Sequence, residues 1–183
     1  MLRLVTRHER KHGKEWTSAM LESRAFRQVY GYYEVRMRYA GASGMANTFA
    51  LHTDANAGPA SFGIDINDGA YPSSITMRLR LLGESAQHRE SHEVGVDLSR
   101  DFHVYGLEWL PGEEGISTLN FYFDGSVIHS ISCAVCNHPV KIILSTTVMR
   151  GEGPITMALD GKSMDVDYVR VYQLKRLLNK PTS

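Results

Sequence analysis

The sequence predicts an all-β fold, a sandwich or jelly roll of short antiparallel strands, and three observations carry that reading. Apolar and polar residues alternate with a period of two through stretch after stretch. Glycine- and proline-based turn signals separate the stretches at short, regular spacing. Helical periodicity is absent until the tail. In chain order, Tyr33, Val35, Met37 and Tyr39 interleave with Tyr32, Glu34, Arg36 and Arg38. Ile75, Met77, Leu79 and Leu81 interleave with Thr76, Arg78 and Arg80, and Leu119, Phe121 and Phe123 with Asn120, Tyr122 and Asp124. Turns are expected at Gly41-Ala42-Ser43-Gly44, Asn56-Ala57-Gly58-Pro59, Asp68-Gly69, Pro111-Gly112, Asp124-Gly125 and Gly151-Glu152-Gly153-Pro154. A short helix-like stretch is expected only near Leu174 to Leu178, in a basic tail over 174–183.

A chain of 183 residues suits one domain with a real core, and the reading is a single domain over 1–183. Twenty basic and twenty acidic residues balance to zero formal charge, so nothing favours a nucleic-acid partner, which usually needs a clustered basic face. No apolar run approaches the roughly 18 residues that would suggest a membrane span. Met1 to His8 is too charged for a signal peptide. The two cysteines form Cys133-Ala134-Val135-Cys136, followed by His138. Three readings stand for them: plain thiols, a local disulfide, or part of a metal site with His138 as third ligand. His52, His88, His92, His103 and His129 show no metal-ligand spacing.

The most informative stretch is Phe62-Gly63-Ile64-Asp65-Ile66-Asn67-Asp68-Gly69. It reads as a buried strand with acidic side chains set into it, and a buried carboxylate is costly unless paired or used. Alternation puts position 63 and Asp65 on one face and Asp68 on the other. A one-residue bulge would return Asp68 to the face of Asp65, and Asn67 and Gly69 suit such a kink. Asp68-Gly69 is also an ordinary turn dipeptide.

This run resembles the catalytic strand of family sixteen glycoside hydrolases, the laminarinase, agarase and carrageenase group, whose pattern is Glu-x-Asp-x-x-Glu. Three further stretches carry the resemblance in family order. Tyr30-Gly31-Tyr32-Tyr33-Glu34-Val35-Arg36-Met37 is similar to the YG-aromatic-E-x-R strand. Phe102 to Trp109 with Phe121-Tyr122-Phe123-Asp124-Gly125 resembles the central hairpin, and Met164 to Tyr172 the closing strand. The resemblance spans roughly residues 3 to 173 and implies a jelly-roll, concanavalin-like sandwich with a concave groove for a polysaccharide. It further implies a secreted or cell-surface protein. The family carries an N-terminal segment ahead of this point, so the chain reads either as a piece of a longer protein or as a shortened relative.

Laid on this chain, the nucleophile falls on Gly63, the helper on Asp65 and the acid/base on Asp68. Retaining hydrolysis needs two carboxyls roughly 5–5.5 Å apart, and Gly63 supplies none. Asp65 with Asp68 is the remaining carboxylate pair, an arrangement conceivable for inversion at roughly 6.5–9.5 Å. Ala46 and Ala50 stand where the family carries tryptophans for sugar stacking, and Tyr71 is a partial substitute. Asn47, His52, Arg78 and Arg80 are expected on the groove face or its rim as substrate-binding residues. If the two arginines share a face with Asp65 they hold it as an anion and favour a sulfated or uronic chain by forked hydrogen bonds. No organic cofactor is expected. Asp167 matches a family position near a calcium site on the convex side, although partner ligands from the N-terminal segment are missing. Three functions stand: a polysaccharide-binding relative with lost or weak hydrolysis, a pseudoenzyme; an active endo-glycosidase using Asp65 and Asp68; and a structural or interaction domain with an abandoned groove.

Overall fold

The computed structural model describes residues 1–54, 58, 61–81 and 88–175. Two six-stranded antiparallel sheets face each other. The outer sheet has the order β1 (Leu2–Val5), β14 (Ser163–Tyr172), β5 (Gly31–Arg38), β10 (His103–Leu110), β11 (Ser117–Phe123), β12 (Ser126–Cys133). The second has the order β4 (Met20–Glu22), β13 (Val140–Val148), β6 (Met45–Thr53), β7 (Phe62–Ala70), β8 (Ser74–Leu81), β9 (His88–Glu93). A small hairpin, β2 (Arg7–Lys11) with β3 (Lys14–Thr17), stands apart from both.

Alternation sorts the side chains between core and surface. In β5 every second residue from Gly31 to Met37 is buried, so Tyr33, Val35 and Met37 point between the sheets. Phe49 and Leu51 of β6, Ile64 of β7, and Ile75 and Met77 of β8 meet them from the other side. Burying each such side chain fully is worth about 1.5–3 kcal/mol, and strands facing water on the opposite side can only collect that gain on alternate positions. Trp109 is fully buried and donates its indole N–H to the carbonyl oxygen of Cys136 at 3.0 Å, so this tryptophan is a core anchor. At the β11–β12 turn Asp124 and Gly125 adopt φ of 45° and 83°, the left-handed pair that a tight hairpin requires.

Cys133 and Cys136 form a disulfide, which selects one of the three readings the sequence leaves open. His138 therefore has no thiolates to join in a metal site. The expected helix does not begin at Leu174 or Lys175, and the rest of that stretch lies outside the described residues. The Asn56-Ala57-Gly58-Pro59 turn also falls largely outside them. No helix among the described residues is long and apolar enough to cross a membrane.

Candidate functional site

The site grows from β7 and its two neighbours. β7 pairs with β6 so that Gly63 lies opposite His52, Asp65 opposite Ala50, and Asp68 opposite Thr48. Between Ala50 and Phe49 the register slips, because Asp65 and Asn67 face consecutive residues and Ile66 is the extra one. This bulge reverses the phase of the strand. Asn67 turns inward, where it accepts a hydrogen bond from the Tyr39 hydroxyl at 2.5 Å and donates to the Asn47 carbonyl oxygen at 2.6 Å. Complete burial pushes the Tyr39 phenol far above its usual range, which keeps it a donor. Asp68 in turn faces outward.

The outward face of β13, β6, β7 and β8 lines a depression of about 410 Å³. Thr48, Ala50 and His52 come to it from β6, Asp68 from β7, Arg78 and Arg80 from β8, and Lys141, Ser145 and Thr147 from β13. Asp65 lies beneath this surface with 1% exposure. Arg80 reaches over it and forms a direct hydrogen-bonded ion pair with its Oδ1. The same guanidinium lies 3.2 Å from His52 Nε2, and that nitrogen is 3.6 Å from Asp65 Oδ1. Asp65, Arg80 and His52 therefore form one polar knot at the centre of the trough. Asp68 has both oxygens engaged. Thr48 donates its hydroxyl to Oδ1 at 2.8 Å, and Arg78 Nη1 lies 2.8 Å from Oδ2.

The backbone at Gly63 is buried, and the space in front of it is filled. A side chain begun there would place its Cβ 2.9 Å from His52 Cδ2 and 3.0 Å from His52 Nε2. The imidazole of His52 thus stands where a carboxylate on position 63 would project.

Of the residues expected in the groove, His52, Asp68, Arg78 and Arg80 line it, and Asp65 supports it from below. Asn47 does not. It is fully buried on the opposite face of β6, where its carboxamide oxygen accepts from the Ala40 N–H at 2.8 Å. Alternation gives the reason: positions 48, 50 and 52 share the wet face, so 47 must share the core face with Phe49 and Leu51. Tyr71 sits in the β7–β8 turn, with its ring 4.0 Å from where a side chain on Gly41 would begin. It is not among the residues lining the depression. No tryptophan, tyrosine or phenylalanine lines it among the described residues.

The charge balance of the trough also differs from the expectation. Arg78 pairs with Asp68, Arg80 with Asp65, and Lys141 with Glu22 at 2.7 Å. Each cation has its own carboxylate, so the two arginines give no surplus positive charge. Thr48, Lys141 and Glu22 were not foreseen as site residues. Thr48 was accessible from the sequence, since it shares the parity of His52. Lys141 and Glu22 lie on strands whose place beside β6 carries no local signal.

On the outer sheet, Asp167 lies at a second bulge between Val166 and Tyr168 and accepts from Arg36 Nη1 at 2.7 Å. A guanidinium on that carboxylate does not fit a calcium ion. Among the described residues no three histidine, cysteine or carboxylate side chains are grouped to hold a metal.

Comparison with known proteins agrees with this architecture. A β-glucanase of Acetivibrio thermocellus is 28% identical over 146 residues, 78% of this chain and 42% of that protein. The endo-1,3-1,4-β-glycanase EglC of Rhizobium meliloti is 26% identical over 166 residues, 89% of this chain and 35% of that one. The chain therefore spans less than half the length of these relatives. The catalytic domain of an endo-1,3-β-glucanase (laminarinase) from Thermotoga petrophila superposes with a TM-score of 0.80 at 23% identity, covering 94% of this chain and 77% of that one. The sequence profile of Glycosyl hydrolases family 16 matches residues 4–170, and with the jelly-roll sheets and the β7 strand crossing a concave face, the chain belongs to that family.

Proposed function

We propose that this trough binds a β-glucan-type polysaccharide and does not hydrolyse it. The observation that carries the reading is the imidazole of His52 seated against Gly63, in the place a nucleophilic carboxylate would need. Glycosidic hydrolysis in this manner requires one carboxyl to attack and another to deliver a proton. Asp65 is buried beneath Arg80, and Asp68 accepts from both Thr48 and Arg78. The free Oδ2 of Asp65 is itself buried, and Asp68 has both oxygens engaged, which argues against the Asp65/Asp68 pair as an inverting couple.

The relatives' names point to β-glucans as the ligand class. The lining offers hydroxyls and ion-paired side chains, which can exchange hydrogen bonds with sugar hydroxyls. One-to-one pairing of its charges removes the basis for preferring a sulfated or uronic chain. Without aromatic platforms, each worth about 0.5–1.5 kcal/mol beyond area burial, binding is weak. This polar, solvent-open face favours a retained binding role over an abandoned groove.

The test pairs two assays on one panel of lichenan, laminarin and a carrageenan. Affinity electrophoresis should show retardation by lichenan or laminarin, and reducing-sugar release should stay at background. Sugar release by the native chain would overturn the loss of hydrolysis. Retardation by carrageenan alone, abolished by salt, would overturn the ligand class. Absence of retardation by all three would leave only a structural domain.

A further inference from the structure

Away from the trough, the two sheets are joined at one open edge by a pair of imidazoles. β9 is the edge strand of the trough sheet and β12 the edge strand of the outer sheet. His88 on β9 and His129 on β12 bring their Nε2 atoms to 2.7 Å. Their planes differ by only 12°, and their ring centres are 4.9 Å apart. With nearly parallel planes, a centre separation longer than the nitrogen separation by about two ring radii means the rings meet head to head. They are not stacked face on face. The contact is thus an N–H···N hydrogen bond, and it requires one ring to carry its proton on Nε2 and the other to present a bare Nε2.

We infer that His88 and His129 form a proton-operated clasp that holds the rim strand of the trough at neutral pH and releases it in acid. The proton count sets the behaviour. Two neutral imidazoles share one N–H between their Nε2 atoms. One added proton goes to a ring Nδ1, and the central N–H···N survives. A second added proton turns both Nε2 atoms into donors, and the contact becomes two facing N–H groups with no acceptor.

The surroundings oppose that second proton. His88, Glu90 and His92 alternate along the inner face of β9, opposite Leu79, Met77 and Ile75. His92 lies 6.4 Å from His129 between ring centres, and its own Nε2 is buried 4.0 Å from Glu90 Oε1, without a hydrogen-bond partner among the described residues. The Phe121 ring is 6.0 Å from His129 on the core side. Among the described residues Glu90 is the carboxylate acting on His129, against the two histidines. Burial first, then the charge of His88, lowers the His129 pKa below its ordinary 6.5, and His92 adds to this while Glu90 opposes it. A folded-state value below the unfolded one means the unfolded chain binds more protons as the pH falls. The clasp is therefore fully present above about 6.5 and lost below it.

The other face of β9 borders the trough. Arg89 lies opposite Arg78, and Ser91 Oγ is 2.9 Å from Thr76 Oγ1. Releasing the clasp frees the strand that flanks Arg78. This inference does not depend on what the trough binds.

The test is amide hydrogen exchange of the β9 segment in the intact chain at pH 7.5 and 5.0, corrected for intrinsic exchange, in the native protein and in His129→Gln. Glutamine can still accept from His88 but cannot take up a proton. In the native protein the protection of β9 should fall on the order of tenfold at pH 5.0, the scale of one lost hydrogen bond. In His129→Gln the two pH values should give the same protection. His88→Gln repeats the comparison if the first variant fails to fold. Nitrogen-15 spectra of the imidazoles should also show opposite tautomers in the two rings at pH 7.5. Equal loss of β9 protection in native and variant proteins, or identical tautomers in both rings, would overturn the clasp.

Discussion

His52 and Gly63 are direct cross-strand partners, and the ring of the first occupies the volume that any side chain on the second would enter. The pair must be considered as one unit. Restoring a carboxylate at position 63 forces the imidazole out, at an overpacking cost of about 1–3 kcal/mol. Gly63→Glu with Asp68→Glu should therefore give no reducing sugar above background, and adding His52→Ala should yield measurable turnover on lichenan or laminarin. Azide with an activated glycosyl donor should likewise give no glycosyl azide with the native chain, because His52 already fills the gap. Equal activity with and without His52→Ala would show that the ring yields freely.

Arg80 and Asp65 should respond unequally to mutation. Asp65 is almost wholly buried, while the Arg80 side chain keeps 39% exposure. Removing Asp65 returns a solvated guanidinium to water. Removing Arg80 leaves a buried carboxylate with only His52 at 3.6 Å, and breaking such a pair costs about 3 kcal/mol, the low end for buried pairs. Urea unfolding of Arg80→Ala should show this loss, with Asp65→Asn clearly milder. A larger loss for Asp65→Asn would contradict the burial argument.

The inward turn of Asn67 depends on a close approach at Gly69. A Cβ there would collide with the Tyr39 hydroxyl and would also stand 2.6 Å from the Ser74 carbonyl oxygen. Tyr39→Phe alone should cost about 1–3 kcal/mol, since Asn67 loses a buried donor. Gly69→Ala should not fold stably, and combining it with Tyr39→Phe should not rescue it, because the backbone carbonyl remains. Recovery of native thermal unfolding in the double variant would show that only the hydroxyl matters.

Alkaline pH should unfold the sandwich from within. Burial, the first cause in each case, raises the phenol of Tyr32 to about 12, those of Tyr33 and Tyr39 further still, and that of Tyr105 well above its ordinary range. The folded form holds these protons above the ordinary 10.0. Stability is thus unaffected below about pH 10 and falls as the pH rises from there toward 12 and above. Tyrosinate absorbance should rise in two stages, the second coinciding with loss of the β-sheet circular dichroism signal. A single stage completed near pH 10 with the fold intact would refute this.

The strands that carried a legible signal were those with one wet and one dry face. β5, β8 and β11 follow the alternation residue by residue, and the bulge in β7 could be anticipated because two aspartates at odd spacing needed a common face. β9 left no such trace. His88-Arg89-Glu90-Ser91-His92-Glu93 contains no apolar residue, and an edge strand can be built from polar residues when only one side has a partner. Asn47 was placed on the wrong face because polarity alone suggests water, whereas its carboxamide serves the buried backbone of Ala40 and Gly69. The arginines lie on the face their parity predicts, and Arg80 holds Asp65 as expected, while Asp68 answers the charge of Arg78. Their partners are set by cross-strand register, which a linear reading does not contain. The same holds for His52, whose meaning depends wholly on standing opposite a glycine.

The single extra residue at Ile66 has an effect on the evolutionary reach of β7. Because phase is counted residue by residue, a strand without Ile66 would set Asp65 and Asn67 side by side opposite Ala50 and Phe49, an unbroken ladder in which Asn67 still turns inward and Asp68 still faces out. Both carboxylates would then share the trough face by plain alternation, two residues apart in place of three. The extra residue therefore widens the spacing of the two acidic groups along the strand, and a shorter relative of this segment could keep the same inward and outward sets while bringing its carboxylates closer together.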